Sequence, residues 1–206
     1  MKQPVSARNI SAIAALFVVL ACNAVTAPAL ALEVAGVNFQ PQTQVQGTKL
    51  QLNGAGVRKQ ASTPLYTAGL YLEQKAKTTD EVLAARGAKQ IRVVMLREMN
   101  SRDFSALLSR GLVTNSNDDQ LSNLIPEIVN LGTLIAERGK LEAGDSFVIE
   151  WSATQGTTIR VTQRSSRKPA IEVFAKPDVI DALMRIWLGD KPADPALKTA
   201  LLGKTA

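Results

Sequence analysis

The chain has 206 residues, with 24 Lys or Arg against 18 Asp or Glu, a formal charge of +6. It contains no histidine, which excludes His-ligated metal sites, Ser-His-Asp triads and histidine general bases. Its nine aromatic residues are too few, and its basic residues too scattered, for a nucleic-acid stacking platform.

Lys2 and Arg8 precede an almost unbroken apolar run over residues 10–21, and Ala29-Leu30-Ala31 offers the small-x-small pattern that a signal peptidase needs. Pro28 helps to end any helix before that point. Residues 1–31 are expected to be a cleavable export signal and residues 32–206 a single domain, delivered to the periplasm of a Gram-negative cell. The apolar run is short against the roughly 20 residues of a spanning helix, so no integral membrane segment is expected in the mature chain. Val19-Leu20-Ala21-Cys22 is a loose lipobox, which leaves a lipoprotein anchored through Cys22 as the lesser alternative. Cleavage removes Cys22, the only cysteine, so the mature domain is expected to hold no disulfide and to lean on an ordinary core.

Residues 33–39 alternate imperfectly and read as a leading strand; residues 45–52, VQGTKLQL, read as a second. Asn53-Gly54 reads as a tight turn, with a short strand resuming over residues 56–59 until Pro64. Residues 65–72 are apolar on both faces, as a central strand would be. Thr79 is expected to cap a short helix running to about Arg86 and ended by Gly87. Residues 90–96 form a strand with Ile91, Val93 and Met95 on one face. Helical periodicity follows. Asn100 or Ser101 caps a stripe of Phe104, Leu107, Leu108 and Leu112. Residues 121–137 repeat the pattern with Leu121, Leu124, Ile125, Ile128, Leu131 and Ile135, and Pro126 is expected to divide this helix near Ile125. Strands return over residues 146–151, 157–162 and 169–174, with Gln155-Gly156 as a turn and the basic cluster 164–168 as a solvated hairpin turn. Pro177-Asp178 opens a last helix pair; Val179, Ala182, Leu183, Ile186 and Trp187 form the stripe of its first member, and Pro195 starts the second. The class is α+β, antiparallel strands carrying a helical layer.

There is no dinucleotide fingerprint and no phosphate-binding loop, and acidic residues are dispersed, so neither cofactor nor metal is expected. Asp103, Asp145 and Glu150 read as surface or cap groups. Residues 54–72 are the informative stretch. Arg58 either points into a cleft, where its paired N–H donors hold a carboxylate or enolate oxygen, or faces solvent or a structural partner. The hydroxyl of Thr67 either satisfies a neighbouring strand or orients a ligand. Tyr66 and Tyr71 fall on opposite faces of one strand, and each is either a hydrogen-bonding tyrosine or, the simpler reading, core filling.

Gly54-Ala-Gly-Val-Arg58, followed by Leu65-Tyr-Thr-Ala-Gly-Leu-Tyr-Leu72, resembles the chalcone isomerase superfamily. Ala182-Leu-Met-Arg-Ile-Trp-Leu-Gly-Asp-Lys-Pro192 with Pro195-Ala-Leu-Lys198 resembles its bacterial chalcone isomerase-like branch. The resemblance implies an open-faced β-sandwich: a large antiparallel sheet, a layer of helices, and a few short strands on the other side. Plant members close a 2′-hydroxychalcone into a flavanone; non-catalytic relatives bind fatty acids between sheet and helices. Residue by residue, the family's enolate-stabilising arginine matches Arg58 and its motif threonine matches Thr67. Phe104 stands where the enzyme has its active-site tyrosine, Gly111 where it has an asparagine, and Ile180 where it has a substrate-contacting Ser or Thr. The resemblance therefore implies a non-catalytic binder of a small apolar acid such as a fatty acid, its carboxylate on Arg58 and its tail along Phe104. Arg58, Tyr66, Thr67, Tyr71 and Phe104 are the expected ligand contacts, and no catalytic residue is assigned. An intramolecular lyase acting on a chalcone-like enone and an interaction module of the cell envelope are the alternatives.

Overall fold

The computed structural model describes residues 30–166 and 168–204. Most of the expected export signal, including the lipobox, lies outside the described residues. Two short strands, β1 (Leu32–Val34) and β2 (Val37–Phe39), form a hairpin. The chain then lays down β3 (Gln42–Val45), β4 (Thr48–Gln60) and β5 (Thr63–Leu72). Helix α1 (Thr79–Ala84) leads to β6 (Lys89–Met95) and the two-residue β7 (Met99–Asn100). Helices α2 (Ser101–Thr114) and α3 (Asp118–Ala136) follow, then β8 (Lys140–Leu141), which pairs with β7. Strands β9 (Ser146–Ser152), β10 (Gly156–Thr162) and β11 (Ala170–Phe174) precede α4 (Asp178–Leu188) and α5 (Pro195–Leu201). Seven strands make one antiparallel sheet in the order β11-β10-β9-β6-β5-β4-β3. Its curl brings β3 close to β9.

Two turns were hidden inside runs expected to be single strands. Ala35-Gly36 and Gln46-Gly47 both hold positive φ at consecutive residues, the geometry that a two-residue hairpin requires. Residues 45–52 are therefore a hairpin corner and not one strand. Asn53-Gly54, in contrast, is no turn. Strand β4 runs straight through it for 13 residues, with a register shift between Leu52 and Gly54. Asn53 is the bulged residue. Its side-chain amide donates to the carbonyls of Ala76 (2.9 Å) and Leu201 (2.7 Å) and accepts from Ala76 N (2.8 Å). At Gly54 a Cβ would stand 2.0 Å from the Ala200 carbonyl oxygen, so only glycine lets α5 settle on β4.

The helices obey their local signals with three corrections, one being that α1 stops at Ala84 with Ala85 already extended, short of the expected end at Arg86 and Gly87. Thr78, not Thr79, caps α1 through a full capping box with Glu81; the Thr79 hydroxyl donates to the Leu188 carbonyl at 2.6 Å. Helix α3 is not divided at Pro126. It is capped by Asn117 and Gln120 and continues to Ala136. Ser122, whose carbonyl loses its partner to the proline, lies on the exposed side, open to solvent. Ile125 is 57% exposed and does not join the packed stripe, which is Leu124, Leu131 and Ile135.

The core lies on both faces of the sheet. On the helical side Ile91, Val93, Phe147, Ile149 and Ile159 meet Phe104, Leu108, Leu183 and Trp187. On the other side Phe39, Val45, Leu50, Tyr71 and Ala88 form a smaller cluster under the β1–β2 hairpin. Helix α4 is the most deeply set of the helices, with eight buried residues. No helix among the described residues is long and apolar enough to cross a membrane.

Candidate functional site

Antiparallel register places Arg58 on β4 directly opposite Tyr66 on β5. Both side chains face the helical layer, and Arg58 is 9% exposed. Its guanidinium lies 5.5 Å from the Tyr66 ring centroid, and Nη1 donates to Tyr66 Oη at 3.3 Å. From α4, Trp187 Nε1 donates to the same oxygen at 2.9 Å. Tyr66 Oη thus accepts twice, while its own proton faces two groups that can only donate. Arg58 Nε is buried and has no partner among the described residues. None of the ion pairs formed there includes Arg58. The locus has more donors than acceptors, which is the electrostatic requirement for an incoming anion or carbonyl oxygen. Burial pushes the Tyr66 hydroxyl above its ordinary pKa, opposed by the charge and hydrogen bond of Arg58. The phenol therefore stays protonated and available to donate.

An aromatic row leads inward from this pair. Phe104 on α2 meets Tyr66 edge-to-face at 6.0 Å and Phe147 on β9 at 5.9 Å. Beyond it lies a largely apolar cavity walled by Met95, Phe104, Ile135, Leu141, Phe147 and Val161, with Asp145 and Ser146 also in its lining. A second apolar cavity separates α3 and α4 from β10 and β11. Each offers about 10 Å³, room for no more than a single water, so the interior beside Phe104 and under α3 is closed.

The structure brings together Arg58, Tyr66 and Phe104. It does not bring Thr67 or Tyr71 to them. Thr67 is fully buried one residue on from Tyr66, on the opposite face of β5, where its hydroxyl donates to the Val94 carbonyl at 3.4 Å. Tyr71 belongs to the cluster across the sheet. Strand alternation already separates positions 66 and 67. Trp187 was read only as a core residue; an indole N–H on a buried stripe needs an acceptor, and that is the signal that it belongs to the site. At Gly111 a Cβ would meet Ile186 Cγ2 at 2.8 Å, so close contact of α2 with α4 leaves no room for the asparagine of the plant enzymes. Ile180 lines a separate cleft beside Lys89 and Trp151.

A curled antiparallel sheet, backed by helices and carrying an arginine against them, defines the open-faced sandwich class. A family model described as chalcone isomerase-like matches residues 31–203, and the chain belongs to that family. Among solved structures it is similar to a fatty-acid binding protein of Arabidopsis thaliana. The match has 13% identity, covers 82% of this chain and 92% of the other, and has a TM-score of 0.57. At that identity the likeness is one of fold. No curated protein matches the chain.

Proposed function

We propose that this protein is a non-catalytic binder of a small apolar carboxylic acid, of the fatty-acid type, exported from the cytoplasm as a member of a bacterial branch of its family. One observation carries the reading: Arg58 is buried with Nε unpartnered and with no carboxylate paired to it. A guanidinium in such a place is costly unless an anion completes it. The ligand carboxylate takes Arg58 and the Tyr66 hydroxyl as donors, and the tail follows Phe104 under the helices. The closed interior requires a helix to move outward, and α3 is suited to this. It buries only Leu124, Leu131 and Ile135 fully, and Ile125 and Val129 face solvent. That the Arabidopsis protein of like fold is a fatty-acid binding protein accords with this reading.

The test is a titration of delipidated protein with dodecanoate. Saturable uptake is expected, weakened about tenfold or more in Arg58→Met, the loss of one charge-assisted hydrogen bond of roughly 1.5–3 kcal/mol. Absence of uptake, or equal affinity in the variant, overturns the proposal. A second reading, an interaction module of the envelope, is favoured by the closed interior together with the exposed Val113, Ile125 and Val129. It predicts no dodecanoate uptake.

A further inference from the structure

The face of the sheet turned away from Arg58 carries a cavity of a different kind. The curl that brings β3 toward β9 leaves an open cleft of about 400 Å³ between them, within the range of small-ligand sites. Gln42 and Gln44 line it from β3, Tyr71 from β5, Arg92 from β6, Glu150 from β9 and Arg160 from β10. The side chains of Gln46 and Gln155 hydrogen-bond to each other and so tie the β3–β4 turn to the β9–β10 turn.

The polar groups here are not all matched with one another. Glu150 is held by Gln90 Nε2 at 2.7 Å and by Arg160 Nη1 at 3.6 Å. Arg92 has no carboxylate among the described residues; Nη1 makes a 3.4 Å contact with the Asn38 carbonyl, and the guanidinium lies 5.7 Å from the Phe39 ring centroid. Phe39 is fixed there by a close approach: at Gly69, which pairs with Arg92, a Cβ would come within 2.5 Å of the Phe39 ring. Tyr71 is 2% exposed, lines the cavity and makes no side-chain hydrogen bond within the described chain. The site therefore holds an unpaired cation on an aromatic base, a free phenol, two amides that donate and accept, and a carboxylate that only accepts.

We infer that this is a second binding site, for a small hydrophilic acid whose carbon chain carries hydroxyls, such as a sugar acid. The carboxylate pairs with the Arg92 guanidinium. Hydroxyls of the ligand accept from Tyr71 Oη and the amides of Gln42 and Gln44, and donate to Glu150. A fatty-acid tail has no group for these partners and would leave them desolvated and unmatched. Charge selects the acid over a neutral sugar of the same shape.

The experiment is a backbone-amide NMR titration of the full chain with D-glucuronate, with D-glucose and dodecanoate as parallel ligands. Glucuronate should give saturable shifts confined to β3, β5, β6 and β9, and glucose should bind at least about tenfold more weakly. Arg92→Met should lose about tenfold in affinity and Tyr71→Phe about threefold, in line with one charge-assisted and one neutral hydrogen bond. Arg58→Met should bind glucuronate as the parent does. Circular dichroism checks that Arg92→Met is folded, and Arg92→Lys, which keeps the charge, should recover part of the loss. Equal binding of glucose and glucuronate, no saturable shift with either, or a folded Arg92→Met with parental affinity overturns the inference. Failure of dodecanoate to bind leaves it standing and counts only against the proposal at Arg58.

Discussion

At the scale of single residues, the Arg58 locus is a place where stability and function pull apart. A buried guanidinium without an anion costs free energy in the empty protein. Arg58→Met is therefore expected to raise resistance to urea, by about 1–3 kcal/mol, while weakening the affinity for dodecanoate about tenfold or more. A drop in stability would make Arg58 a structural group. Tyr66→Phe should act the other way, because it leaves the buried Trp187 N–H without its acceptor and costs about 1–3 kcal/mol. The two tyrosines also set an alkaline limit. Burial raises both hydroxyls, opposed at Tyr66 by Arg58 and at Tyr71 by Arg92. The unfolded chain ionises first, at a pH of about 10, so stability from these groups is intact below that value and falls as pH rises through it. With only two tyrosines in the chain, ultraviolet titration should show tyrosinate appearing together with loss of structure, not before it. The residue scale was also where the sequence was partly legible. Strand alternation could have separated Thr67 from Tyr66, yet both were expected at the ligand; only the register of β4 on β5 sets Tyr66 beside Arg58 and Thr67 away from it. Trp187 could not be placed, because its acceptor lies 121 residues away in the chain.

At the scale of elements, local signals were read well where their cause was local. The Asn100 cap, the stripes of α2 and α4, the Gln155-Gly156 turn and the three strands of the second half follow from neighbours within a few residues; the cap of α1 was read one residue late and Ile125 was wrongly counted in the stripe of α3. Asn53-Gly54 misleads because the same dipeptide that makes a turn also makes a bulge under a helix. The deciding contact is with Ala200. Gly54→Ala is expected to cost about 2–4 kcal/mol in chemical denaturation, since backbone and not a pliable side chain must give way. Helix α3 is tethered from outside by Lys176, whose ammonium reaches Glu127 at 2.9 Å and the Asn123 carbonyl at 2.8 Å. If α3 is the element that admits the ligand, Lys176→Met should speed amide exchange over residues 118–136 and raise the dodecanoate association rate, with little change in the exchange of β6 and β9. Uniform protection across the variant would exclude α3 as the gate.

At the scale of the whole molecule, class and layer order were legible from pattern and family resemblance together. The curl of the sheet was not, since the approach of β3 to β9 is a sum of small twists that no residue announces. The polar cavity between them was invisible for the same reason. The proposed cleavage also belongs to this scale. Leu30 is 90% exposed and β1 begins at Leu32, so a cut after Ala31 leaves every strand of the sheet in place. The exported chain should begin at Leu32 by intact mass; a product retaining residues 1–31, or one lipidated at Cys22, would refute that cut.

The docking of α5 on β4 also sets an order of events in time. Asn53 and Leu201 are joined across 148 residues, and the glycine floor of β4 stays uncovered until the final helix is made. A nascent chain lacking its last dozen residues cannot close this seam, so the late completion of the fold is written into its topology. If the chain is exported unfolded, as proposed, such delay would keep it competent for passage, and α5 would be the clasp that closes the domain on arrival.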